Sequence, residues 1–257
     1  MPRYFLEVSY KGTNYSGFQS QLNTKKTIQF EIEKAFEILS KRKIQMTGSS
    51  RTDAGVHALQ NYFHFDIDIP IQQWNVIETE YQFKYKINAI LPGDIVVKQL
   101  IPVNEDSHCR FDAISREYSY YIYRHKNPFL QGRAFFYPYK LDLGKLQAAA
   151  GVIKEFDDFT SFSKRNTQVK SFICKIETSE WSFKTGYLIY HVKANRFLRG
   201  MVRALTATML QVGRSKLSLE EFKQVILLKD CTKASFAVPA DGLFLISVKY
   251  PDNYFSI

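Results

Sequence analysis

Residues 116–125, REYSYYIYRH, admit little besides an extended strand. Tyr118, Tyr120 and Ile122 fall on one side and Ser119, Tyr121 and Tyr123 on the other, a period-two array of aromatics that suits a pleated surface. Such a strand needs neighbours. Residues 174–182 and 187–194 read as a hairpin across Lys184-Thr185-Gly186. In the first half, residues 4–10 alternate as a strand, and Thr27 caps a helix that turns Ile28, Ile32, Ala35, Phe36 and Leu39 to one face. Strands near 62–67 and 95–100 flank a helix-prone stretch at 72–85. A helix at 143–153, a long helix from Phe197 and a last strand at 242–250 complete the second half. The halves have related element orders but no sequence repeat, and no Ser/Gly-rich linker joins them. The expected class is α+β in two lobes, residues 1–107 and 108–257.

At 257 residues the chain can bury a sizeable core. Lys and Arg outnumber Asp and Glu by 35 to 25, and 21 Phe and 16 Tyr lift the aromatic share to 15%. Excess positive charge with many ring faces suits nucleic acid better than an acidic membrane surface, although a basic protein with a Phe-rich core has the same composition. Cys109, Cys174 and Cys231 are far apart, odd in number and without a CxxC pair, which disfavours a disulfide framework or zinc knuckle. His64, His108 and His125 show no metal-ligand spacing with Cys109, and no metal is expected. Met1-Pro2-Arg3 leads directly into the first strand, leaving no room for a signal peptide, and no apolar run approaches the roughly 20 residues that span a bilayer. The expectation is a cytoplasmic protein without a membrane partner.

Two segments carry chemistry. In SSRTDAGVHA, Arg51 and Asp53 lie two apart, so in an extended loop both address one side, beside a glycine that frees the backbone. Taken alone, these residues more commonly make a surface turn with Asx-type bonds. Near the C-terminal end of the second half, Arg196, Arg199 and Arg203 fall at i, i+3 and i+7 of the expected helix, with Leu198, Val202, Leu205 and Met209 opposite. That stripe is either an anion-binding face or a solvated one.

Taken in order, several segments resemble the TruA family of tRNA pseudouridine synthases. They are YKGTNYSGFQSQ with Thr27-Ile28-Gln29, RTDAGVHALQ, NAILPGDIVV, FDAISREYSYYIY, FDDFTSF, NRFLRGMVR and VPADGLFL. Together they span nearly the whole chain, which makes the resemblance far more specific than RTDAG by itself. Departures are local: Ser50 stands where the family has Gly, Phe18 where it has Trp, and Val238 where it has Ala.

The resemblance implies two facing ferredoxin-like (RRM-like) lobes sharing an extended antiparallel sheet, with a central active-site cleft, assembled as a homodimer. It implies isomerisation of uridine to pseudouridine at positions 38, 39 and/or 40 of the tRNA anticodon stem-loop, after base flipping and with no cofactor. Asp53 takes the catalytic carboxylate's place, with Arg203 facing it as its ion-pair partner. Tyr118 matches the residue that stacks on the uracil, Leu243 a pocket leucine, and Arg51 the residue that braces the flipped nucleotide; Arg196 and Arg199 are candidate phosphate contacts. Lys11, Lys25, Lys26, Lys41, Arg42 and Lys43 are further cations available to RNA, and His57 reads as a support for the loop. A non-catalytic RNA-binding scaffold would share the charge and the aromatics. A glycosidase or phosphoryl-transfer enzyme would need an acid partner or a P-loop, and neither motif is present.

Overall fold

The computed structural model describes all residues except 69, 72, 73, 75, 76, 78, 166–168, 256 and 257. Among the described residues there are nine strands and five α-helices. The chain divides into two compact units, Met1–Ile114 with Leu245–Ile257, and Ser115–Phe244. The first holds β1 (Arg3–Tyr10), α1 (Ile28–Ser40), β2 (Thr47–Gly48), β3 (His57–Asp66), α2 (Glu80–Ile90) and β4 (Ile95–Val103). The second holds β5 (Ser115–Tyr123), β6 (Phe135–Phe136), α3 (Leu143–Ile153), β7 (Ile176–Lys184), β8 (Tyr187–Ala194), α4 (Met201–Gly213) and α5 (Leu219–Leu227). Most of β9 (Leu243–Lys249) belongs to the first unit.

Within the first unit β1 lies between β4 and β3, antiparallel to both, with Arg3 opposite Val103 and Asp66. Residues 4–8 of β1 are all buried, although alternation alone would bury every second one. The cause is that both faces of this strand are covered. On one, Tyr4 stacks with Phe65, whose ring meets Phe36 of α1 at 5.1 Å, and Phe36 in turn meets Phe83 of α2 at 5.5 Å. On the other, Phe5 meets Tyr250 at 5.5 Å and Phe255 at 5.9 Å. That second cover is why residues 245–257 group with the first unit, where the sequence reading assigned them to the second lobe. It is fastened by Ile114 N–H to the Lys249 carbonyl (2.8 Å), by Val248 N–H to Gln60 Oε1 (3.2 Å) and by Tyr250 Oη to the Cys109 carbonyl (2.6 Å).

Thr27 caps α1 by accepting from Phe30 N–H, and the helix stops at Lys41 with a left-handed φ of 60°. The helix expected at 72–85 starts at Glu80 behind the Thr79 cap, and part of the stretch before it lies outside the described residues. In NAILPGDIVV, Asn88 closes a pair of bonds with the backbone of Val97 (2.9 and 2.8 Å), tying α2 to β4. Asp94 accepts from Asn14 and from the Tyr15 hydroxyl, tying the start of β4 to the 12–15 segment.

Within the second unit β5 pairs antiparallel with β8 and β8 with β7. The hairpin turn has two residues and not three: Lys184 pairs with Tyr187, leaving Thr185 and Gly186 at φ 52° and 82°, the mirror-image turn that matches strand twist. One short pairing, β5 with β6, is parallel, so the sheet is not wholly antiparallel as expected. Helix α3 has the expected bounds. The later helix begins at Met201, four residues after the expected Phe197, because Gly200 adopts φ 75° and interrupts helical geometry. Arg196 and Arg199 therefore precede it, and the expected cationic stripe does not exist. Helix α4 is buried almost all round, with only Arg203 and Gln211 half-buried. Trp181 of β7 packs on Tyr190 at 5.1 Å and points its indole N–H at Met209 Sδ of α4.

Candidate active site

The Asp53 loop spans residues 49–56 between β2 and β3, and its shape is imposed by a buried polar network. Asn61 is wholly buried in β3, and there its amide oxygen accepts from Ser50 N–H (3.3 Å) while its amide nitrogen donates to the Ser50 carbonyl (2.8 Å). The same nitrogen donates to the Tyr10 hydroxyl oxygen (3.2 Å), and the Tyr10 and Thr52 hydroxyls share a hydrogen bond of 2.8 Å. Thr52 is thereby held inward, while Arg51 is exposed and Asp53 half-exposed beside it. Low dielectric around this network makes each bond matter more than it would at the surface.

The 12–18 segment clamps the loop from outside. Phe18 N–H donates to the Thr52 carbonyl (3.1 Å), and the Phe18 ring stacks on Phe63 at 4.5 Å. A Cβ on Gly12 would fall 2.0 Å from the Val56 carbonyl oxygen, and one on Gly48 would fall 2.0 Å from Phe18 Cε1, so both approaches require glycine. The turn closes through Val56 N–H to the Asp53 carbonyl (3.2 Å), with Gly55 at φ 83°. His57 is 1% exposed, and its Nδ1 accepts from Gly12 N–H at 3.0 Å. With that lone pair occupied, His57 supports the loop and is unsuited to take a proton at Nδ1. The result is a carboxylate presented at the tip of a rigid, internally bonded turn, the arrangement that reactions needing a positioned carboxylate favour.

In the second unit, Tyr118 is half-buried on β5 opposite Val192, and its ring meets Phe197 edge-on at 5.1 Å. Arg203 donates from Nε (3.1 Å) and Nη2 (2.7 Å) to the Val238 carbonyl, which fixes the guanidinium plane. Leu243 is buried at the start of β9. Asp241, in the same VPADGLFL segment, was not singled out from the sequence. Burial raises its pKa above the ordinary carboxylate range, against bonds from its own and the Gly242 N–H and the attraction of Arg203. Tyr120 Oη donates to the Pro239 carbonyl (2.7 Å), and a Cβ on Gly242 would strike the Tyr120 ring at 2.7 Å, which locks this segment onto β5. Arg196 is half-buried and acts electrostatically on Cys174, while Arg199 is exposed and its carbonyl accepts from Lys164 N–H (3.0 Å). Of the scattered cations, Arg42 is ion-paired with Asp68 at 2.7 Å.

One cluster departs from the sequence reading. His64, His108 and Cys109 bring potential metal-ligand atoms within 4.8 Å of one another, a proximity that their spacing did not reveal. Their hydrogen bonds suit packing better than ligation. His64 Nδ1 accepts from Cys109 N–H (3.3 Å), and His108 Nδ1 accepts from the N–H groups of Arg110 and Phe111, which places the ring protons on Nε2. No helix among the described residues is long and apolar enough to cross a membrane.

Residues 7–112 and 156–251 match the family model of tRNA pseudouridine synthase. The first range contains Arg51 and Asp53 and the second Arg203 and Leu243, while Tyr118 lies outside both. Over 257 residues the chain is 40% identical to the tRNA pseudouridine synthase A of Parabacteroides distasonis, covering all of this chain and 99% of that one. It is 39% identical to that of Azobacteroides pseudotrichonymphae over 99% of each chain. With that of Staphylococcus aureus it shares 36% identity over 98% of this chain and 92% of that one. The chain belongs to the tRNA pseudouridine synthase family of isomerases.

Proposed function

We propose that the chain converts uridine to pseudouridine at positions 38, 39 and/or 40 of the tRNA anticodon stem-loop, with Asp53 as the catalytic carboxylate. The observation that carries the reading is the Asp53 loop itself. The family-matched RTDAG segment is held by the Asn61, Tyr10 and Thr52 network with the carboxylate-bearing residue at its accessible tip.

In this isomerisation the N1–C1′ bond breaks, the uracil turns, a C5–C1′ bond forms, C5 loses its proton and N1 gains one. No group enters or leaves and the oxidation level is unchanged, so the balance needs no cofactor. A carboxylate can serve by trapping an electron-poor sugar carbon or by adding to the uracil ring. Arg203 is assigned the role of the carboxylate's cationic partner, Tyr118 the stacking role toward uracil, and Leu243 an apolar contact. Arg51 is assigned the bracing of the flipped nucleotide, whose extrusion costs a few kcal/mol. Arg196 and Arg199 are assigned phosphate contacts. The same reading makes each unit a ferredoxin-like lobe and the active species a cytoplasmic homodimer.

The test is incubation with an unmodified tRNA transcript followed by mapping of pseudouridine. Wild type is expected to give product in the anticodon arm. Asp53→Asn is expected to give none while keeping tRNA affinity and an unchanged unfolding midpoint. A well-folded transcript left unmodified by wild type would remove the proposed activity, and full turnover by Asp53→Asn would remove the carboxylate's role.

A further inference from the structure

A strand fixes where a side chain starts and which side of the sheet it leaves, but it leaves χ1 a choice of rotamers. A half-buried tyrosine whose ring plane matters therefore needs a neighbour off the sheet. Tyr118 has one. Its strand partner on β8 is Val192, and the chain then turns back after Ala194 to bring Phe197, five residues beyond Val192, against the Tyr118 ring. The ring centroids are 5.1 Å apart and the planes stand at 85°, the edge-to-face geometry that aromatic quadrupoles favour. Both rings are half-buried, so the contact lies at the edge of the core and not within it.

Phe197 belongs to residues 195–200, which join β8 to α4 and lie in neither, yet this segment is bound from three others. Asn195 exchanges bonds with Lys175, its N–H donating to the Lys175 carbonyl (3.2 Å) and its Oδ1 accepting from the Lys175 N–H (2.8 Å). Arg116 Nη1 donates to the Asn195 carbonyl (3.2 Å). The Arg199 carbonyl accepts from Lys164 N–H (3.0 Å), Leu198 is buried, and Gly200 at φ 75° turns the chain into α4. Arg116 and Tyr118 leave the same side of β5 two residues apart, and Asn195 and Phe197 are likewise two apart. One pair makes a hydrogen bond and the other a ring contact, so the turn is tied to β5 at two adjacent points.

We propose that Phe197 is a positioning residue for the isomerisation, its ring fixing the plane of the Tyr118 ring on which the uracil stacks. The proposal rests on the stacking role assigned to Tyr118 above. A base stacks on a tyrosine only with the two faces parallel, so a Tyr118 ring free to swing would hold the uracil in many orientations, few of them reactive. Loss of the Phe197 ring therefore slows the step after binding. Affinity for tRNA, which phosphate contacts dominate, changes little.

Three variants separate this role from simple packing. Phe197→Leu keeps an apolar side chain and removes the ring, Phe197→Tyr keeps the ring, and Tyr118→Leu removes the ring that Phe197 supports. Each is compared with wild type well below its melting temperature, by single-turnover conversion of an unmodified tRNA transcript and by a separate binding titration. Phe197→Leu is expected to slow conversion about 3- to 10-fold, the range an edge-to-face pair contributes, while tRNA affinity changes by less than about twofold. Phe197→Tyr is expected to restore conversion to within about twofold of wild type, since the edge-to-face pair is kept. Conversion by Phe197→Leu at the wild-type rate, a loss accounted for wholly by weaker binding, or a Phe197→Tyr variant as slow as Phe197→Leu would each overturn the proposal. Tyr118→Leu at the wild-type rate would instead remove the stacking role on which the proposal rests, and a wild type that makes no pseudouridine would remove the proposed function itself.

Discussion

Replacing Asn61 by alanine removes the acceptor for the Ser50 and Tyr62 N–H groups and the donor to the Ser50 carbonyl and the Tyr10 hydroxyl in one step. Each buried partner left unsatisfied costs about 1–3 kcal/mol, and partial relaxation limits the total, so a loss of roughly 3 kcal/mol is expected in urea unfolding. The rate of modification is expected to fall more than tRNA affinity does, because the loop that presents Asp53 loses its shape while the cations remain. The loop that carries Asp53 was legible in the sequence because RTDAG stands among segments whose order resembles that of the family. Asn61 was not, because a polar residue in a strand ordinarily marks the solvent face, and only the folded register of β3 shows that its amide takes the place of a strand partner for Ser50.

Among the helices, α5 is the one the sequence reading passed over, although its signal was present. Ser218 and Glu221 form a reciprocal capping box, with Ser218 Oγ accepting from Glu221 N–H (3.1 Å) and Glu221 Oε2 accepting from Ser218 N–H (2.7 Å). Ser218→Ala is expected to destabilise the protein by about 1 kcal/mol, read as a shift of the denaturant midpoint without a change in slope. Helix α3 and the β7–β8 hairpin were legible because their periodicity and turn residues are local. The start of α4 was not. Residues 196–200 continue an apolar and basic pattern that a helix would satisfy, and the obstacle is the left-handed Gly200, held against the Lys164 chain from a distant segment. Nor was the near-total burial of α4, since Thr206 and Thr208 enter the core by bonding their hydroxyls to the carbonyls of Val202 and Ala204.

At the scale of the molecule, stability should depend on pH through the His64 cluster. Burial, with the nearby His108 and Arg3 charges, lowers the His64 pKa from 6.5 to about 4, so the folded state holds this ring neutral while the unfolded chain protonates it more readily. Stability from this group is therefore complete above about pH 6.5, declines as pH falls toward 4, and declines no further below that, a difference of up to roughly 3 kcal/mol. The urea midpoint of wild type is expected to drop between pH 7 and pH 5, and His64→Asn, which keeps an acceptor for Cys109 N–H, is expected to flatten that slope. The mixed α and β content could be read from the sequence, but the return of residues 245–255 to the first unit could not, because nothing local marks which distant strand face they cover. That return also has a consequence for biosynthesis. During translation β1 and the Asp53 loop emerge early, yet Phe5 and Tyr62 stay uncovered until Tyr250 and Phe255 have been made, after the entire second unit. The nascent chain must therefore carry one naked aromatic sheet face through most of its synthesis, and the half that bears Asp53 is the last to be completed.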